Sequence, residues 1–330
     1  MSDGPVLVTG ANGFLGRALV DEAKRRGLRV RGLGLRASTI TSADEYRCAD
    51  ITCTASLVPV MDGVRVVVHA AGLAHVAGAS KGLAEQFKRV NTIGTHNVAR
   101  AASTAGVKHF VLISSVSVYG RSDGSVGEAV ECRPEGPYAQ SKFLAERAAS
   151  DVARSGRLRL TILRLATLYG EGDPGNIGRL MRLIDRGRFV WAGDGSNRKS
   201  LLYREDAARA CIVAAGAEGG GVEIFNVAAP PCTVRELVQT LSEALGRTTP
   251  RWRVPTKMML WVARAGASIP GGGGVVGDAC RRAEKFLSED VYDATRFAER
   301  FQFSTRIDLR EGIQREVEWY RRRGLGPGPT

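Results

Sequence analysis

Residues 5–16 read Pro-Val-Leu-Val-Thr-Gly-Ala-Asn-Gly-Phe-Leu-Gly, and a helical stretch, Arg17 to Arg26, follows them. The short aliphatic run is typical of a buried parallel strand. A glycine-rich turn between a strand and a helix lets backbone N–H groups approach a pyrophosphate at the helix N-terminus. This glycine turn (residues 10–16) therefore predicts a dinucleotide site, the alternative being a purely structural turn. Its predicted cofactor-binding residues are Gly10, Asn12, Gly13, Phe14, Leu15 and Gly16.

The end of the next predicted strand, Leu28 to Leu35, normally decides which dinucleotide binds. An acidic side chain there binds the adenosine ribose hydroxyls, whereas an arginine accommodates a 2′-phosphate. This chain has Gly34 where the acid is expected and Arg36 just beyond it. The pattern favours NADP, with NAD as the alternative cofactor and Arg36 then a solvated loop residue. Asp50 and Ile51 are expected beside the adenine, although a loop carboxylate can equally cap a helix.

Ser115 follows the predicted central strand 110–113, at the carboxyl end where parallel sheets bind ligands. Farther along, Tyr138-Ala-Gln-Ser-Lys142 places a phenol and an ammonium one turn apart on one helix face. An unperturbed phenol titrates near about 10, too high for acid–base work at neutral pH. A nearby ammonium favours the phenolate, so the spacing predicts a tuned proton donor or acceptor. The alternative is an ordinary surface pair.

Small residues follow another buried strand, Val64 to Val68, and its strand-end histidine, His69. They would let the ribose and phosphates of the cofactor lie close to the backbone, and they are Ala70, Ala71 and Gly72. His69 itself is interpreted as a packed residue rather than a catalytic base. Asn91 lies in a predicted helical region, 81–105. It would hold a structural water or a backbone carbonyl behind Lys142 at the cofactor site, or its polar side chain would merely kink the helix.

The chain of 330 residues carries 47 Lys and Arg against 34 Asp and Glu, a net charge of +13. Because the basic residues are not massed with aromatics, we expect a solvated basic surface and no nucleic-acid partner. Such a field is compatible with a phosphorylated small substrate. The six cysteines have no metal or redox spacing, which predicts no metal site and a reducing compartment. With no leader and no membrane-spanning apolar run in sight, a cytoplasmic protein without a membrane partner is expected.

The motifs Gly10-x-x-Gly13-x-x-Gly16, Ser115 and Tyr138-x-x-x-Lys142, in this order and spacing, resemble the extended short-chain dehydrogenase/reductase family. Within it, nearly the whole chain is similar to NAD(P)-dependent nucleotide-sugar epimerases and dehydratases. The resemblance implies an α/β fold, a Rossmann-type doubly wound parallel sheet with a smaller mixed C-terminal substrate lobe. It also implies a homodimer packed through the helices near 81–105 and 138–153.

The same resemblance implies two domains whose pieces alternate along the sequence. The dinucleotide-binding domain would comprise residues 1–170 and a returning segment, 201–228. The substrate-binding lobe would comprise residues 171–200 and 229–330, ending in a flexible tail, 324–330.

The resemblance further implies roles for single residues. Tyr138 would be the acid–base group, Lys142 its electrostatic partner and Ser115 the hydrogen-bond donor to the reacting oxygen, with Tyr138 and Lys142 also contacting the cofactor. In relatives a basic residue before Tyr-Val-x-Asp contacts the nucleotide diphosphate. The matching stretch is Lys199 to Asp206, so a lysine replaces the usual arginine and Arg198 is a possible substitute. The implied substrate-binding residues are Ser115, Ser117, Asn176, Lys199 and Arg282, with Arg281 as the alternative to Arg282.

Two departures from the family patterns narrow the reaction. Members that eliminate water carry Thr-Asp-Glu where this chain has Ser115-Val116-Ser117, which disfavours a dehydratase. Members that epimerise usually carry an acidic residue at the position of Gly34, so its absence favours exchangeable NADPH and net reduction. The preferred interpretation is the reduction of a 4-keto, 6-deoxy nucleotide-diphosphate sugar. Open alternatives are a UDP-sugar 4-epimerase with bound NAD, a reductase of a hydrophobic carbonyl such as a steroid or flavonoid, and a non-catalytic NADP-sensing module.

Overall fold

The structure, a computed structural model, describes residues 4–37, 42–74, 82–121, 124–249, 253–254 and 286–324. Along this part of the chain the strands are β1 (Val6–Thr9), β2 (Val30–Gly34), β3 (Glu45–Cys48), β4 (Val66–His69), β5 (His109–Ser115), β6 (Ser125–Val126), β7 (Arg159–Leu165), β8 (Thr167–Tyr169), β9 (Trp191–Ala192), β10 (Arg198–Lys199), β11 (Leu201–Tyr203), β12 (Val222–Val227), β13 (Cys232–Thr233), β14 (Arg253–Val254) and β15 (Val291–Tyr292). The helices are α1 (Phe14–Arg25), α2 (Leu83–Phe87), α3 (Gly94–Thr104), α4 (Gly136–Ser155), α5 (Asn176–Asp185), α6 (Arg204–Gly216), α7 (Val234–Leu245), α8 (Thr295–Phe301) and α9 (Leu309–Arg322). Arg281, Arg282 and the tail from residue 325 onward lie outside the described residues.

Within the described residues, seven strands form one sheet in the order β12-β7-β5-β4-β1-β2-β3. Every neighbouring pair in it is parallel. The strand order reverses between β1 and β4, so the carboxyl ends of these two strands flank the crevice in which doubly wound sheets bind ligands. The predicted Rossmann-type sheet is therefore confirmed.

Helices cover both faces of this sheet. One face packs on α1 and α6 through side chains such as Leu19 and Ile212. The other face packs on α3 and α4 through side chains such as Val98 and Val152. Because the central strands are covered on both sides, they are continuous apolar runs rather than alternating ones. Burying each such aliphatic side chain contributes about 1.5–3 kcal/mol to folding.

The C-terminal part of the chain contributes a separate apolar cluster. Helices α5, α7 and α9 pack there through residues such as Met181, Leu241 and Val317. Short strand pairs of both orientations accompany it, namely β8 with β11, β9 with β14 and β10 with β13. Helix α6 and strand β12, by contrast, lie with the main sheet. This cluster is the smaller mixed lobe, while the domain boundaries themselves stay a prediction.

The predicted helical region 81–105 is not one regular helix. Helix α2 is followed by a π-helical stretch, Lys88–Ile93, which we call the π segment, and then by α3. Hydrogen bonds in a π turn span five residues instead of four, so the turn holds an additional residue. Asn91 lies within the π segment and is buried.

A buried chain of hydrogen bonds connects the ends of β1 and β4 to the π segment. The Nδ1 atom of His69 lies 2.7 Å from the Thr9 hydroxyl, which accepts the N–H of Ala71. The Nε2 atom lies 3.0 Å from the Thr95 hydroxyl, which donates to the Asn91 carbonyl. Because the Thr95 hydroxyl donates its own proton elsewhere, it accepts that of Nε2, and in a neutral ring Nδ1 then accepts from the Thr9 hydroxyl. Burial lowers the pKa of His69 to about 3, which confirms its interpretation as a packed residue.

We expect the free energy of unfolding to fall as the pH drops below 6.5, where His69 would protonate in the unfolded chain. The folded state resists protonation down to about pH 3, so the loss due to His69 reaches about 2 kcal/mol at pH 5. Urea denaturation at pH 7 and pH 5 measures it. His69→Gln should lose less stability on acidification than the wild type, whereas His96→Gln, on α3, is the control. An equal loss in the wild type and His69→Gln would contradict the assignment.

Candidate active site

The glycine turn between β1 and α1 is shaped by contacts that exclude side chains. Gly10 has φ +68°, a left-handed conformation that favours glycine. A Cβ atom on it would lie 2.9 Å from the backbone of Ala71 and 3.1 Å from the carbonyl carbon of Ala70. A Cβ atom on Gly16 would lie 2.0 Å from the Gly10 carbonyl oxygen, so helix and turn meet backbone to backbone. Gly13, the N-cap of α1, is exposed on the outer side of the turn.

The N-terminus of α1 has the properties that a pyrophosphate requires. Gly13 is the N-cap of α1, and among the described residues no side chain caps this helix. Its first turn holds no acidic residue. The first backbone N–H groups of α1, such as those of Phe14 and Leu15, can therefore bind an anion. The positive end of the helix dipole favours this binding. The Oδ1 atom of Asn12 is buried without a hydrogen-bond partner in the described chain, while its Nδ2 atom donates to the Tyr46 phenol. A dinucleotide fits both features.

At the expected adenosine end, β2 finishes on Gly34, so no side chain projects from its last residue. Arg36 follows two residues later and is exposed. Asp50 accepts a hydrogen bond from the Thr52 N–H, and this bond lowers the pKa of the Asp50 carboxyl. The carboxylate thus closes a local turn rather than capping a helix, which was the alternative, and a contact with adenine stays a prediction. Ile51 beside it is buried.

Asn91 holds the backbone after β4 against helix α4. Its Oδ1 atom accepts from the Leu73 N–H at 2.7 Å, and its Nδ2 atom donates to the Leu73 carbonyl and to the Ser141 hydroxyl. The backbone carbonyl that Asn91 holds is that of Leu73, whereas its contact next to Lys142 is with the hydroxyl of the preceding residue, Ser141. Gly72 is close by, since a Cβ atom on it would lie 3.0 Å from the Asn91 side-chain oxygen. The amide of Asn91 is engaged within the chain, and a direct cofactor contact stays a prediction.

The Tyr138 phenol lies within hydrogen-bonding reach of the Ser115 hydroxyl at the carboxyl end of β5. Ser115 also accepts the Ser117 N–H at 3.2 Å, which leaves its own proton to be donated. Burial raises the pKa of Tyr138, and the hydrogen bond to Ser115 only partly offsets this. Burial thus outweighs the lowering that a nearby ammonium was expected to cause, and the role of Tyr138 as proton donor or acceptor stays a prediction. Its ring packs edge-on against Phe87, with 5.8 Å between centroids.

Lys142 is a buried cation with 8% of its surface exposed. Its ammonium donates to the Ile113 carbonyl of β5 at 2.5 Å. Burial lowers the pKa of Lys142 to about 8, and the negative charge of Glu146, one turn farther along α4, opposes this decrease. An ammonium has three N–H donors, so further donors can reach a ribose hydroxyl, as the resemblance implies.

Glu146 belongs to a buried ion pair that the sequence analysis missed. Arg164 of β7 donates to its carboxylate through Nη2 at 2.7 Å and Nε at 3.1 Å, and both side chains are 5% exposed. The Ser114 hydroxyl donates to the same carboxylate. The Arg164 guanidinium also lies over the Tyr119 ring, 4.8 Å from its centroid. The spacing Lys142-x-x-x-Glu146 is the sequence pattern that could have indicated this pair.

Two of the predicted substrate residues present unused polar groups. The Ser117 hydroxyl oxygen is buried and has no hydrogen-bond partner among the residues the structure describes. Asn176 is exposed as the first residue of α5. Ser117 lies in the same turn as Ser115, whereas the predicted contacts at Arg281 and Arg282 fall outside the described residues.

Lys199, predicted to hold the diphosphate, is engaged within the protein. It is 12% exposed and donates to the Asp290 carboxylate and to the Ser288 carbonyl, both at 2.7 Å. Its proposed substitute, Arg198, pairs with Glu289 at 2.7 Å. Because both cations already have acidic partners, this geometry disfavours the predicted phosphate contact, which would require breaking an ion pair.

A parallel sheet with this turn, and with a tyrosine and a lysine at its crevice, is typical of dinucleotide-dependent oxidoreductases. Residues 6–228 match the model of the NAD dependent epimerase/dehydratase family. The chain belongs to this family, which confirms the resemblance found in the sequence and makes the protein an enzyme.

The chain is similar to proteins with different substrates. It is 31% identical to 2-alkyl-3-oxoalkanoate reductase of Stenotrophomonas maltophilia, over 73% of this chain and 76% of that protein. It is 28% identical to UDP-glucose 4-epimerase of Vibrio cholerae, over 76% and 78% of the two chains. Among solved structures it is similar to MoeE5 in complex with UDP-glucuronic acid and NAD, with 28% identity, a TM-score of 0.79 and coverage of 97% and 100%.

A nicotinamide dinucleotide fits the described residues, because in the glycine turn the N-terminus of α1 has no side-chain cap and the Asn12 side-chain oxygen is buried without a partner among them. Within the described ranges, no group of three or more His, Cys, Asp or Glu side chains could hold a metal ion. None of the helices described is both long and apolar enough to span a bilayer.

Glu146→Gln should move the alkaline limb of the pH–rate profile to lower pH by about one unit. In the wild type, turnover is expected to fall above pH about 8, as Lys142 loses its proton. The amide removes the charge that raises the pKa of Lys142 but preserves the side-chain shape between Ser114 and Arg164. The measurement is kcat from about pH 6 to about pH 10. Asp151→Asn, an exposed carboxylate on α4, is the control, and an unshifted limb in Glu146→Gln would contradict the link.

Proposed function

We propose that the protein is an NAD(P)-dependent oxidoreductase acting on C4 of a nucleotide-diphosphate sugar, in the direction that reduces a 4-keto, 6-deoxy sugar. The observation that carries this proposal is the protonated Tyr138 phenol beside the Ser115 hydroxyl. A ketone oxygen whose carbon receives a hydride also needs a proton, and a buried phenol can donate one. The substrate class is supported by the similarity to UDP-glucose 4-epimerase and to MoeE5 with UDP-glucuronic acid.

In this proposal Ser115, Tyr138 and Lys142 each have a separate role. A bound reduced nicotinamide supplies the hydride. Ser115 donates a hydrogen bond to the carbonyl oxygen and stabilises the negative charge that develops on it. Tyr138 transfers its phenolic proton to the same oxygen. Lys142, charged below pH about 8, then stabilises the phenolate that remains on Tyr138.

NADPH is the proposed reductant. The last residue of β2 is Gly34, so no carboxylate projects there to repel a 2′-phosphate. Arg36, which is exposed just beyond, supplies a cation for that phosphate. Exchangeable NADPH suits an enzyme that performs net reduction, since the oxidised cofactor has to leave after each turnover.

A UDP-sugar 4-epimerase with bound NAD is the second candidate, favoured by the similarity to MoeE5 in complex with UDP-glucose and NAD. An epimerase begins by removing a proton from a sugar hydroxyl, so Tyr138 would have to start as the phenolate. The burial that raises the pKa of Tyr138 works against this starting state.

The nucleotides released when the purified protein is denatured should separate these two candidates. A reductase with an exchangeable cofactor should release NADP or nothing, as measured by mass spectrometry. Stoichiometric NAD would instead support the 4-epimerase. Free protein treated with NADPH before gel filtration is the control for carry-over of weakly bound cofactor.

A reductase of a hydrophobic carbonyl remains an alternative, because the Stenotrophomonas maltophilia relative is named for such a substrate. The expected argument against it relied on a basic substrate lobe. That argument loses strength because Lys199 is paired with Asp290. The non-catalytic NADP-sensing module is disfavoured, since Ser115, Tyr138 and Lys142 are all present and adjacent.

The predicted homodimer and cytoplasmic location stay proposals. Two apolar side chains are exposed near the helices that were expected to form the dimer, Ile93 at 41% and Leu144 at 42%. Neighbouring exposed apolar residues of this kind support a protein contact there.

Tyr138→Phe should abolish NADPH oxidation in the presence of a 4-keto nucleotide sugar while leaving NADPH binding unchanged, because the ring still packs on Phe87. Ser115→Ala should lower kcat by about 10²–10³-fold. Ser117→Ala, in the same turn, is the matched comparison and should affect KM more than kcat. The absorbance of reduced nicotinamide measures turnover, and retained turnover in Tyr138→Phe would reassign the acid.

A further inference from the structure

Strand β2 has a slot on one face that is filled by a tyrosine from the neighbouring strand. Gly32 and Gly34 alternate along β2 and so share a face, and Tyr46 of β3 pairs with Gly32 in register. A Cβ atom on Gly32 would lie 2.9 Å from Cδ2 of Tyr46, and one on Gly34 would lie 2.1 Å from its phenolic oxygen. No side chain fits at either glycine while the ring is in place.

The Tyr46 phenol also connects two parts of the expected cofactor site. The Nδ2 atom of Asn12, in the glycine turn, donates to its oxygen at 2.5 Å. The phenol in turn donates to the carbonyl of Arg36 at 3.0 Å. Tyr46 therefore fixes the orientation of Asn12 and the backbone that carries the Arg36 side chain. The Oδ1 atom of Asn12 remains buried with no partner among the described residues.

The slot coincides with the position that selects the dinucleotide in this type of fold. The side chain at the end of the second strand meets the adenosine ribose, and a carboxylate there favours NAD. In this chain the tyrosine hydroxyl occupies the space into which a side chain on Gly34 would project. Burial raises the pKa of Tyr46, so the group in that space is neutral.

We propose that Tyr46 takes the place of a strand-end carboxylate as the wall of the adenosine 2′ subsite, and that this subsite consequently admits a 2′-phosphate. The inference rests on the proposed function in two respects, namely that a nicotinamide dinucleotide binds at the glycine turn and that NADPH is its preferred form. A neutral phenol does not repel a phosphate, whereas a carboxylate would. Tyr46 also holds the Arg36 backbone, which places the nearest exposed cation at the same strand end.

The double variant Gly34→Asp/Tyr46→Ala tests this inference, because it empties the slot and puts a carboxylate into it. Dissociation constants for NADPH and NADH come from the fluorescence of the reduced nicotinamide, with no sugar present. The wild type should bind NADPH at least as tightly as NADH. The double variant should shift the ratio toward NADH by at least about tenfold, since like charges brought together in a site cost that much or more.

Three single variants keep the test decisive. Tyr46→Phe retains the ring but removes the hydroxyl that fixes Asn12 and the Arg36 backbone, so NADPH should weaken more than NADH. Arg36→Ala, at an exposed position that does not threaten folding, should weaken NADPH at least about tenfold more than NADH. Arg47→Ala, an exposed arginine of β3, should change neither constant.

Two results would overturn the inference. One is a wild type that binds NADH more tightly than NADPH. The other is a pair of results. Arg36→Ala weakens both cofactors equally, and the double variant either leaves the ratio unchanged or fails to fold in a thermal melt. Because these are binding constants, an inactive enzyme with sugar substrates would refute the proposed function without touching the 2′ subsite.

Discussion

A positive charge held inside the protein is the constraint on which the active site depends. Lys142 is removed from water, and a buried ammonium is costly unless polar groups surround it. The Ile113 carbonyl supplies one such group, and Glu146 supplies a negative charge on the next helical turn. Arg164 then satisfies the rest of the Glu146 carboxylate. Helix α4 is thereby fixed to β5 and β7 by charge as well as by apolar packing.

Burial around this cation also favours the protonated form of the neighbouring tyrosine, Tyr138. The cation that could favour a phenolate is itself drawn toward Glu146 and the end of β5, and burial keeps the Tyr138 proton in place. A site with these properties is prepared to give a proton to an oxygen rather than to take one away. Ser115, fixed by the Ser117 N–H, adds a second donor at the same strand end. The packing around α4 thus supports the proposed reduction.

Local spacing predicted the parts of the site that lie within one turn or one helix. The glycine turn and the Tyr138–Lys142 pair are of this kind, because their geometry depends only on neighbouring residues. Contacts between distant residues were not predictable in this way. Arg164 lies 18 residues from Glu146, and Asp290 lies 91 residues from Lys199. The sequence indicated that Gly34 lacks a carboxylate, but the ring that fills its place comes from another strand.

The π segment shows how much depends on a single additional residue. Each residue of an α-helix turns the chain by about 100°. Deleting one residue from the segment would rewind it to regular pitch and rotate α3 by that angle relative to α2. Thr95, which meets His69, and Asn97, which donates to the Ile51 carbonyl, would both swing away from the sheet. The additional residue thus sets the rotation of α3 about its axis, and this one rotation places both Thr95 against His69 and Asn97 against the Ile51 carbonyl.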